Sequence, residues 1–168
     1  MTGLLVRPAE PADFAAVARL TVAAYEADGQ LKGETGYAEV LADVPGRAVH
    51  GEILVAVDPA TGQLLGSVTF VLPGSPYAEL CGPGEAEFRM LAVDPAVQGR
   101  GTGAALVEAC VARATELGCA ALVICVREGH AESAHHLYRR RGFIRVPELD
   151  RTPLPDVHLQ ALRLPLTP

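Results

Sequence analysis

The stretch VDPAVQGRGTGAALVEA, from Val93 to Ala109, places three glycines between an apolar run that ends at Asp94-Pro95 and a run with helical spacing. Glycine lets the backbone approach a phosphate closely, and the first amides of a helix point toward such an anion. The stretch therefore predicts a phosphate-binding turn between a strand and a helix. Its spacing and its surroundings decide which kind of turn it is.

Two well-known phosphate-binding motifs fit this turn poorly. A Walker sequence needs Lys followed by Ser or Thr after its last glycine, but Gly103 is followed by two alanines. The dinucleotide fingerprint is matched formally by Gly99, Gly101 and Ala104, but apolar residues replace the acid expected about 20 residues later. A structural alternative is that the glycines only let the helix pack tightly on the sheet.

Short apolar segments alternate with segments of helical spacing along the chain. The predicted helices begin after Asp13 and after Gly103, and a third covers 132–141; a short helix over 37–44 is expected to end at Pro45-Gly46. The predicted strands cover 4–7, 52–57, 64–72, 86–93, 120–126, 143–146 and 157–164. The central strand, glycine turn, helix and buried strand form a βαβ unit within an otherwise antiparallel set.

Two further local features concern the middle of the chain. Alternation along the fourth predicted strand places Phe88, Met90 and Ala92 on one face of the sheet and Leu91 on the other. The glycines and prolines of segment 73–85 predict a loop, and a loop of this size inside a compact domain is often functional.

Length and composition indicate one folded domain over residues 1–168. Fourteen Lys and Arg against twenty Asp and Glu give a net charge of −6, so the broad basic surface of a nucleic-acid-binding protein is missing. The longest apolar run, from Cys119 to Val126, is far too short to span a bilayer, and the N-terminal stretch lacks a secretory pattern. We therefore expect a soluble cytoplasmic protein with reduced cysteines and no membrane partner.

A third interpretation of the turn accounts for its whole neighbourhood. Residues 98–103 match the pattern Gln/Arg-x-x-Gly-x-Gly/Ala, and a second pattern, A-x-x-L-Y-x-x-x-G-F, follows downstream at Ala134, Leu137, Tyr138, Gly142 and Phe143. Together with LAVDP before the turn, these patterns make most of the chain resemble the GNAT superfamily of acyl-CoA-dependent N-acyltransferases. The resemblance implies a mixed, mostly antiparallel central sheet flanked by helices, with the βαβ unit holding the acyl-CoA phosphates.

The resemblance also implies a reaction. The expected activity is the transfer of an acetyl group from acetyl-CoA to a primary amine by direct attack in a ternary complex. The alternative is a catalytically inactive module that still binds acyl-CoA. Covalent catalysis is disfavoured, because Cys81 is the only cysteine outside an apolar element and no His or acid partner for it is evident.

The predicted acetyl-CoA site combines helix amides with the edge of a strand. Amides from Gly99 to Ala104 face the pyrophosphate, with an ionic contact from Arg100 or a merely solvated arginine as alternatives. By resemblance, the pantetheine arm pairs with Leu91 and Val93, and the amide of Val93 or Ala92 polarises the thioester carbonyl. The residues predicted to bind acetyl-CoA are Leu91, Ala92, Val93, Gln98, Gly99, Arg100, Gly101, Thr102, Gly103, Ala104, Ala134 and Tyr138.

Two residues are predicted to act in catalysis. By resemblance, Tyr138 is the candidate general acid near the thioester sulfur, and the alternative is a tyrosine that only packs. Glu87 is the candidate that accepts the ammonium proton through water, with Glu85 as runner-up and a solvated strand-end carboxylate as the alternative. One departure from the family pattern is Ala131, where members often carry an Asn that contacts the pantetheine arm.

The acceptor is expected to be a small-molecule or peptide amine that contacts residues 26–37 and the loop 73–85. The acids of these segments favour a cationic acceptor; they are Glu26, Asp28, Glu34 and Glu79. No metal site is predicted, because the adjacent His135 and His136 point about 100° apart on a helix and lack the i, i+4 spacing of zinc helices. A homodimer is possible by analogy with many relatives.

Overall fold

The computed structural model describes residues 3–32 and 36–166. Five α-helices lie within these residues: α1 Phe14–Ala27, α2 Tyr37–Ala42, α3 Val44–His50, α4 Thr102–Glu116 and α5 Glu132–Arg141. The described strands are β1 Leu5–Pro8, β2 Glu52–Val57, β3 Leu64–Val71, β4 Glu85–Val93, β5 Ala121–Arg127, β6 Ile144–Arg145, β7 Arg151–Leu154 and β8 Val157–Pro165.

The described strands form a single mixed sheet in the order β1-β2-β3-β4-β5-β8-β6, and β7 also pairs with β8. Every pairing is antiparallel apart from that of β4 with β5, which is parallel. This agrees with the expected fold, a mostly antiparallel sheet containing one βαβ unit. The helix α4 makes the crossover between the two parallel strands, as such a connection requires.

The parallel pairing of β4 with β5 is short. It covers only the register from Glu85, opposite Ala121, to Glu87, opposite Val123. Beyond Glu87 the two strands continue without a described partnership, although β4 extends to Val93 and β5 to Arg127. The backbone groups on the facing edges of the two strands are therefore left open beyond this point.

The sheet has a hydrophobic core on each face. Strand β2 shows the division, because alternate side chains enter opposite clusters: Leu54 and Ala56 pack with α4, whereas Val55 packs with Val17 of α1 and Val44 of α3. The α4 cluster is the larger and includes Leu106, Val107, Cys110, Val111, Ala114, Leu122, Ile124, Tyr138 and Phe143.

A β-bulge interrupts β4. Met90 has a φ of 57°, which a non-glycine residue rarely adopts, and the pairing of β4 with β3 shifts by one residue opposite 67–69. The prediction that Phe88 and Leu91 lie on opposite faces is therefore wrong, since both pack against the α4 cluster. The extra residue reverses the alternation in the second half of the strand.

The local signals in two other segments were also misinterpreted. Pro45 and Gly46 do not end a helix but lie in the first turn of α3, where proline is tolerated because its missing N–H is unpaired anyway. Asp43 caps that turn by accepting a hydrogen bond from the Gly46 amide at 3.1 Å. Strand β7 was not predicted.

No described helix is long and apolar enough to cross a membrane.

Candidate active site

A cavity of about 320 Å³ opens where β4 and β5 separate. One wall consists of residues 88–91 of β4, and the opposite wall consists of residues 125–127 of β5. Both segments lie beyond the paired register, so the absence of pairing between the strands makes room for the cavity. The other lining residues are Tyr25, Gln30, Gly36, Tyr37, Val40, Glu79, Ala131, Ala134, Tyr138, Arg151, Pro153, Leu154 and Leu159.

Two glycines of the turn between β4 and α4 adopt a left-handed backbone. Gly99 has a φ of 83°, and Gly101, at the N-cap of α4, has a φ of 76°. A Cβ built at either residue would meet no atom within 4 Å. Tight packing therefore does not require these two glycines. Their left-handed backbone requires glycine instead, and the open space beside them leaves room for a ligand.

The glycine that does permit tight packing is elsewhere. A Cβ on Gly66 of β3 would lie 2.8 Å from the Ala92 carbonyl oxygen and 2.8 Å from Cγ2 of Thr102. Gly66 thus allows the first turn of α4 to rest on the sheet, which is the role that the structural alternative assigned to the turn. Gly103 is less constrained, since its Cβ would have an ordinary contact with Leu137 at 3.5 Å.

The N-terminus of α4 carries no side-chain cap within the described residues. Its first amides therefore keep their donors, and the helix dipole places partial positive charge there. Arg100 lies beside this end, where its guanidinium pairs with Asp58 at 3.2 Å. The Thr102 hydroxyl is buried and has no partner among the described residues.

Tyr138 of α5 lines the cavity and is buried. Its ring lies 5.9 Å from that of Phe88 and 5.5 Å from that of Phe143, measured between centroids. Burial raises the pKa of the Tyr138 phenol well above its usual value, so the group remains protonated at neutral pH. A protonated phenol is the state that a general acid needs.

Glu87 is fully buried in β4 and is not among the residues that line the cavity. Its Oε1 accepts hydrogen bonds from the amides of Glu79, Leu80 and Cys81 at 3.0, 2.8 and 3.0 Å. Its Oε2 has no hydrogen-bond partner among the described residues. The carboxylate thus anchors the loop before β4, and its role as a base through water stays a prediction.

Glu85, the runner-up for the base, stands at the start of β4. It accepts a hydrogen bond from the Gly82 amide at 2.9 Å and pairs with Arg163 at 3.0 Å. It also does not line the cavity. Both carboxylates therefore organise the end of the same loop.

Comparison with known proteins identifies the family. The model of the acetyltransferase (GNAT) family matches residues 16–143, which include the glycine turn, the cavity walls on β4 and β5, and Tyr138. The chain belongs to this family. Acetyltransferases of the family use acetyl-CoA as co-substrate, and they act on amine acceptors.

Solved structures share the fold over nearly the whole chain. The GCN5-related N-acetyltransferase from Kribbella flavida is 28% identical, with a TM-score of 0.71 over 97% of this chain and 98% of that one. The ribosomal-protein-alanine N-acetyltransferase from Brucella melitensis is 20% identical, with a TM-score of 0.69 over 96% and 99% of the two chains. The Salmonella typhimurium protein yncA, determined with its cofactor acetyl-CoA, is also 20% identical, with a TM-score of 0.69 over 99% and 96%. No curated protein matches the chain.

The residues present fit acetyl-CoA. The amides at the start of α4 and the open space beside Gly99 and Gly101 suit a diphosphate. The unpaired edge of β4 beyond Glu87 suits an extended arm with amide groups, because it offers free backbone donors and acceptors. The cavity continues from this edge to Tyr138.

Ala131, where members of the family often have Asn, lines the cavity at the N-cap of α5. Its φ is 54°, a left-handed conformation that Asn tolerates better than Ala. The Ala131 amide donates a hydrogen bond to Asp28 Oδ2 at 2.6 Å, which ties α5 to the end of α1. No side-chain amide is available here to contact a pantetheine arm.

The cavity lining includes residues from the two segments that are predicted to contact an acceptor. Gln30 and Tyr37 come from 26–37, and Glu79 comes from the loop 73–85. The third contributor, β7, was missed because it is four residues long and contains a proline. The turn sequence Pro155-Asp156 between β7 and β8 was the signal that could have revealed this hairpin.

The charge of the lining differs from the expectation of a cationic acceptor. Of the three described acids named for it, only Glu79 lines the cavity. Asp28 is engaged by Ala131 and by Gln30, whose side chain donates at 2.9 Å, and Glu34 lies outside the described residues. The other charged lining residues are arginines: Arg89, Arg127 and Arg151.

Two of the cysteines, Cys81 and Cys125, lack the chemistry of a nucleophile. Burial and the neighbouring Glu87 charge raise the pKa of Cys81 to about 12. Burial raises the pKa of Cys125, which lines the cavity, to about 11. Both thiols are therefore protonated at neutral pH. The described residues also bring no three His, Cys, Asp or Glu side chains into one metal-binding group.

Proposed function

We propose that the chain transfers the acetyl group of acetyl-CoA to a primary amine by direct attack in a ternary complex. The observation that carries the proposal is one cavity that joins the unpaired edge of β4, the protonated Tyr138 and a separate wall formed by α1, α2 and β7. Two substrates can meet in such a cavity without a covalent enzyme intermediate.

The binding roles follow from the backbone. The amides from Gly99 to Ala104 hold the pyrophosphate, and Gln98 and Thr102 shape the turn around it. The backbone of Leu91 and Val93 receives the arm, with Ala134 packed beside it. The amide of Val93 or Ala92 donates to the thioester oxygen, where negative charge develops during the reaction.

The chemical step exchanges one bond for another. Acetyl-CoA supplies the acetyl group as a thioester, so a bond from the amine nitrogen to the carbonyl carbon forms while the carbon–sulfur bond breaks. Tyr138 gives its proton to the departing thiolate and takes back the proton that the amine loses, by way of solvent. Glu87 accepts the first ammonium proton through water before the attack.

The test is a thiol-release assay with acetyl-CoA and a panel of primary amines, beside calorimetry with acetyl-CoA alone. Turnover that depends on both substrates supports the proposal. Tight binding of acetyl-CoA with no thiol release from any amine would favour the inactive acyl-CoA-binding module instead. Mass spectrometry after incubation with acetyl-CoA alone should show no acetylated protein, because direct attack forms no covalent enzyme intermediate; a stable acetyl adduct would contradict direct attack.

The role of Glu87 has its own test. Glu87→Gln keeps an oxygen for the three amides but removes the charge. If Glu87 is the base, kcat should fall by about 10²-fold with KM for acetyl-CoA unchanged. A variant that keeps kcat but melts at lower temperature would restrict Glu87 to anchoring the loop.

A further inference from the structure

Two arginines share one carboxylate on the acceptor side of the cavity. Arg89 Nη2 lies 3.2 Å from Glu79 Oε1, and Arg151 Nη1 pairs with Glu79 Oε2. Arg89 also donates to the Tyr77 carbonyl at 3.2 Å. Two positive charges thus meet a single negative one at the cavity wall, which leaves one guanidinium charge in excess.

Arg127 adds a third positive charge. The residue is 6% exposed, and it donates to the backbone carbonyls of Gln30 and Lys32, to the latter at 3.0 Å. Among the described residues no carboxylate forms an ion pair with it. A buried charge is normally paired, and backbone carbonyls orient a guanidinium without neutralising it.

Within residues 3–32 and 36–166, the charges behind the wall do not restore neutrality. Glu87 acts electrostatically on Arg89 from within β4, but its Oε1 is already engaged by three amides. Among these described residues, counting Arg89, Arg127 and Arg151 against Glu79 and Glu87 still leaves one positive charge. The whole chain carries a net charge of −6, so this local excess is opposite in sign to the rest of the protein.

Of these three arginines, Arg151 is best placed to bind an anion in the cavity. Its side chain is 36% exposed and lines the cavity. Glu79 is its only ion-pair partner among the described residues, and the guanidinium nitrogens other than Nη1 have no hydrogen-bond partner there. A planar guanidinium with free N–H groups recognises a carboxylate through two parallel hydrogen bonds.

We propose that the acceptor carries a carboxylate beside its amine, and that it is a small amino acid with an apolar side chain. The proposal rests on the acetyl transfer proposed above. Arg151, supported by Arg89, binds the carboxylate, and the remaining apolar surface of Val40, Met90 and Leu154 receives the side chain. A cavity of about 320 Å³ that must also admit the acetyl end of the co-substrate suits an acceptor of this size better than a folded peptide segment.

The experiment compares matched acceptors that differ only in the carboxylate. L-leucine, L-leucinamide and 3-methylbutylamine share the side chain, and L-methionine with 3-(methylthio)propylamine forms a second pair. We expect kcat/KM for each amino acid to exceed that for its uncharged counterparts by about tenfold or more, the value of a charge-assisted hydrogen bond. Equal or faster turnover of the amide or the amine would overturn the inference and leave the acetyl transfer intact, as would turnover confined to peptides.

A pair of variants assigns the effect to Arg151. Arg151→Gln should lower kcat/KM for L-leucine about tenfold or more and change that for 3-methylbutylamine little. The matched control is Arg113→Gln on α4, because Arg113 has a similar exposure of 33% and pairs with Glu52 at 3.0 Å outside the cavity. For Arg113→Gln, kcat/KM for each of the two acceptors should equal that of the unchanged protein. An equal loss for both acceptors in Arg151→Gln would overturn the assignment.

Calorimetry separates this inference from the proposed function. 4-Methylpentanoate is leucine without its amine, so it can bind but cannot be acetylated. Binding that Arg151→Gln weakens about tenfold would support the carboxylate site even if no amine in the panel releases thiol. The inference would be overturned if the unchanged protein and Arg151→Gln bind 4-methylpentanoate equally tightly, or if neither binds it.

Discussion

At the scale of single residues, two non-glycine positions of the described chain adopt a left-handed backbone. Met90 forms the bulge in β4, and Ala131 begins α5. Both line the cavity, so local strain is concentrated at the site rather than spread over the fold. At Ala131 the strain is maintained by the hydrogen bond from its amide to Asp28.

Ala131→Gly should therefore stabilise the protein. Glycine relieves a left-handed penalty of about 1–2 kcal/mol, and its greater freedom in the unfolded chain offsets about half of this, so urea unfolding should show a gain of about 0.5 kcal/mol. The control is Ala112→Gly in the exposed part of α4, which should lose about 1 kcal/mol. Equal losses in both variants would show that the backbone at Ala131 carries no strain.

Tyr138→Phe separates the hydroxyl from the ring. The contacts with Phe88 and Phe143 depend on the ring, so the melting temperature should change little. If the phenol is the general acid, kcat should fall by about 10²-fold with KM for acetyl-CoA unchanged. Because burial raises its pKa, the unchanged enzyme should show no fall in rate from phenol ionisation up to about pH 10, the usual value. Steady-state kinetics across pH test both expectations. An unchanged kcat in Tyr138→Phe, or a fall in the rate of the unchanged enzyme below about pH 10, would contradict the role of the phenol.

At the scale of elements, the decisive unit is the turn from β4 into α4. Gly101 is both the N-cap of the helix and a residue of positive φ, so one residue ends the turn and leaves the first amides of α4 uncapped. Asp94 helps to start the turn by accepting a hydrogen bond from the Ala96 amide at 2.9 Å. Backbone conformation, rather than side-chain identity, makes this element suitable for an anion.

Gly101→Ala should damage acetyl-CoA binding more than it damages the fold. The substitution forces a Cβ into a left-handed conformation, costing about 1 kcal/mol, and fills the open space beside the amides, so Kd should rise about tenfold or more. Gly118→Ala is the matched control at the other end of α4, with a φ of 75° and equally open surroundings. It should lose similar stability and keep its Kd in calorimetry. Equal Kd values for the two variants would remove the turn from the binding site.

At the scale of the whole molecule, the sheet opens where β4 and β5 separate around the cavity. Each strand pairs with its neighbours, but β4 and β5 share only three residue pairs. The hydrophobic clusters on the two faces hold the separated halves in place. The cavity is therefore part of the fold itself, and a ligand bound in it would contact both halves of the sheet.

Acetyl-CoA should accordingly stabilise the protein against heat. At a concentration about 100 times Kd, binding to the folded state alone adds about 2.7 kcal/mol, which for a chain of this size raises Tm by about 5–10 °C. The control ligand is S-acetylcysteamine, which carries the thioester without the nucleotide and should not shift Tm at the same concentration. Comparable shifts with both ligands in differential scanning calorimetry would contradict binding at the start of α4.

Local signals in the sequence predicted much of this architecture. Helix α5 covers residues 132–141, as its pattern predicts, and α4 begins close to the residue predicted for it. These predictions depend on neighbours in the chain: capping, turn chemistry and periodicity act over a few residues. The segment Pro45-Gly46 shows the limit, because the same residues can end a helix or start one, and Asp43 decided between them.

The sequence by itself determined the family and the glycine turn between β4 and α4, because both depend on residues close together in the chain. Only the tertiary structure decided the lining of the cavity. The bulge at Met90 reverses the faces of β4, and the pairing of β7 with β8 brings Arg151 to Glu79 and Arg89. Such convergence arises from strand pairing and packing between distant segments, which no local pattern encodes.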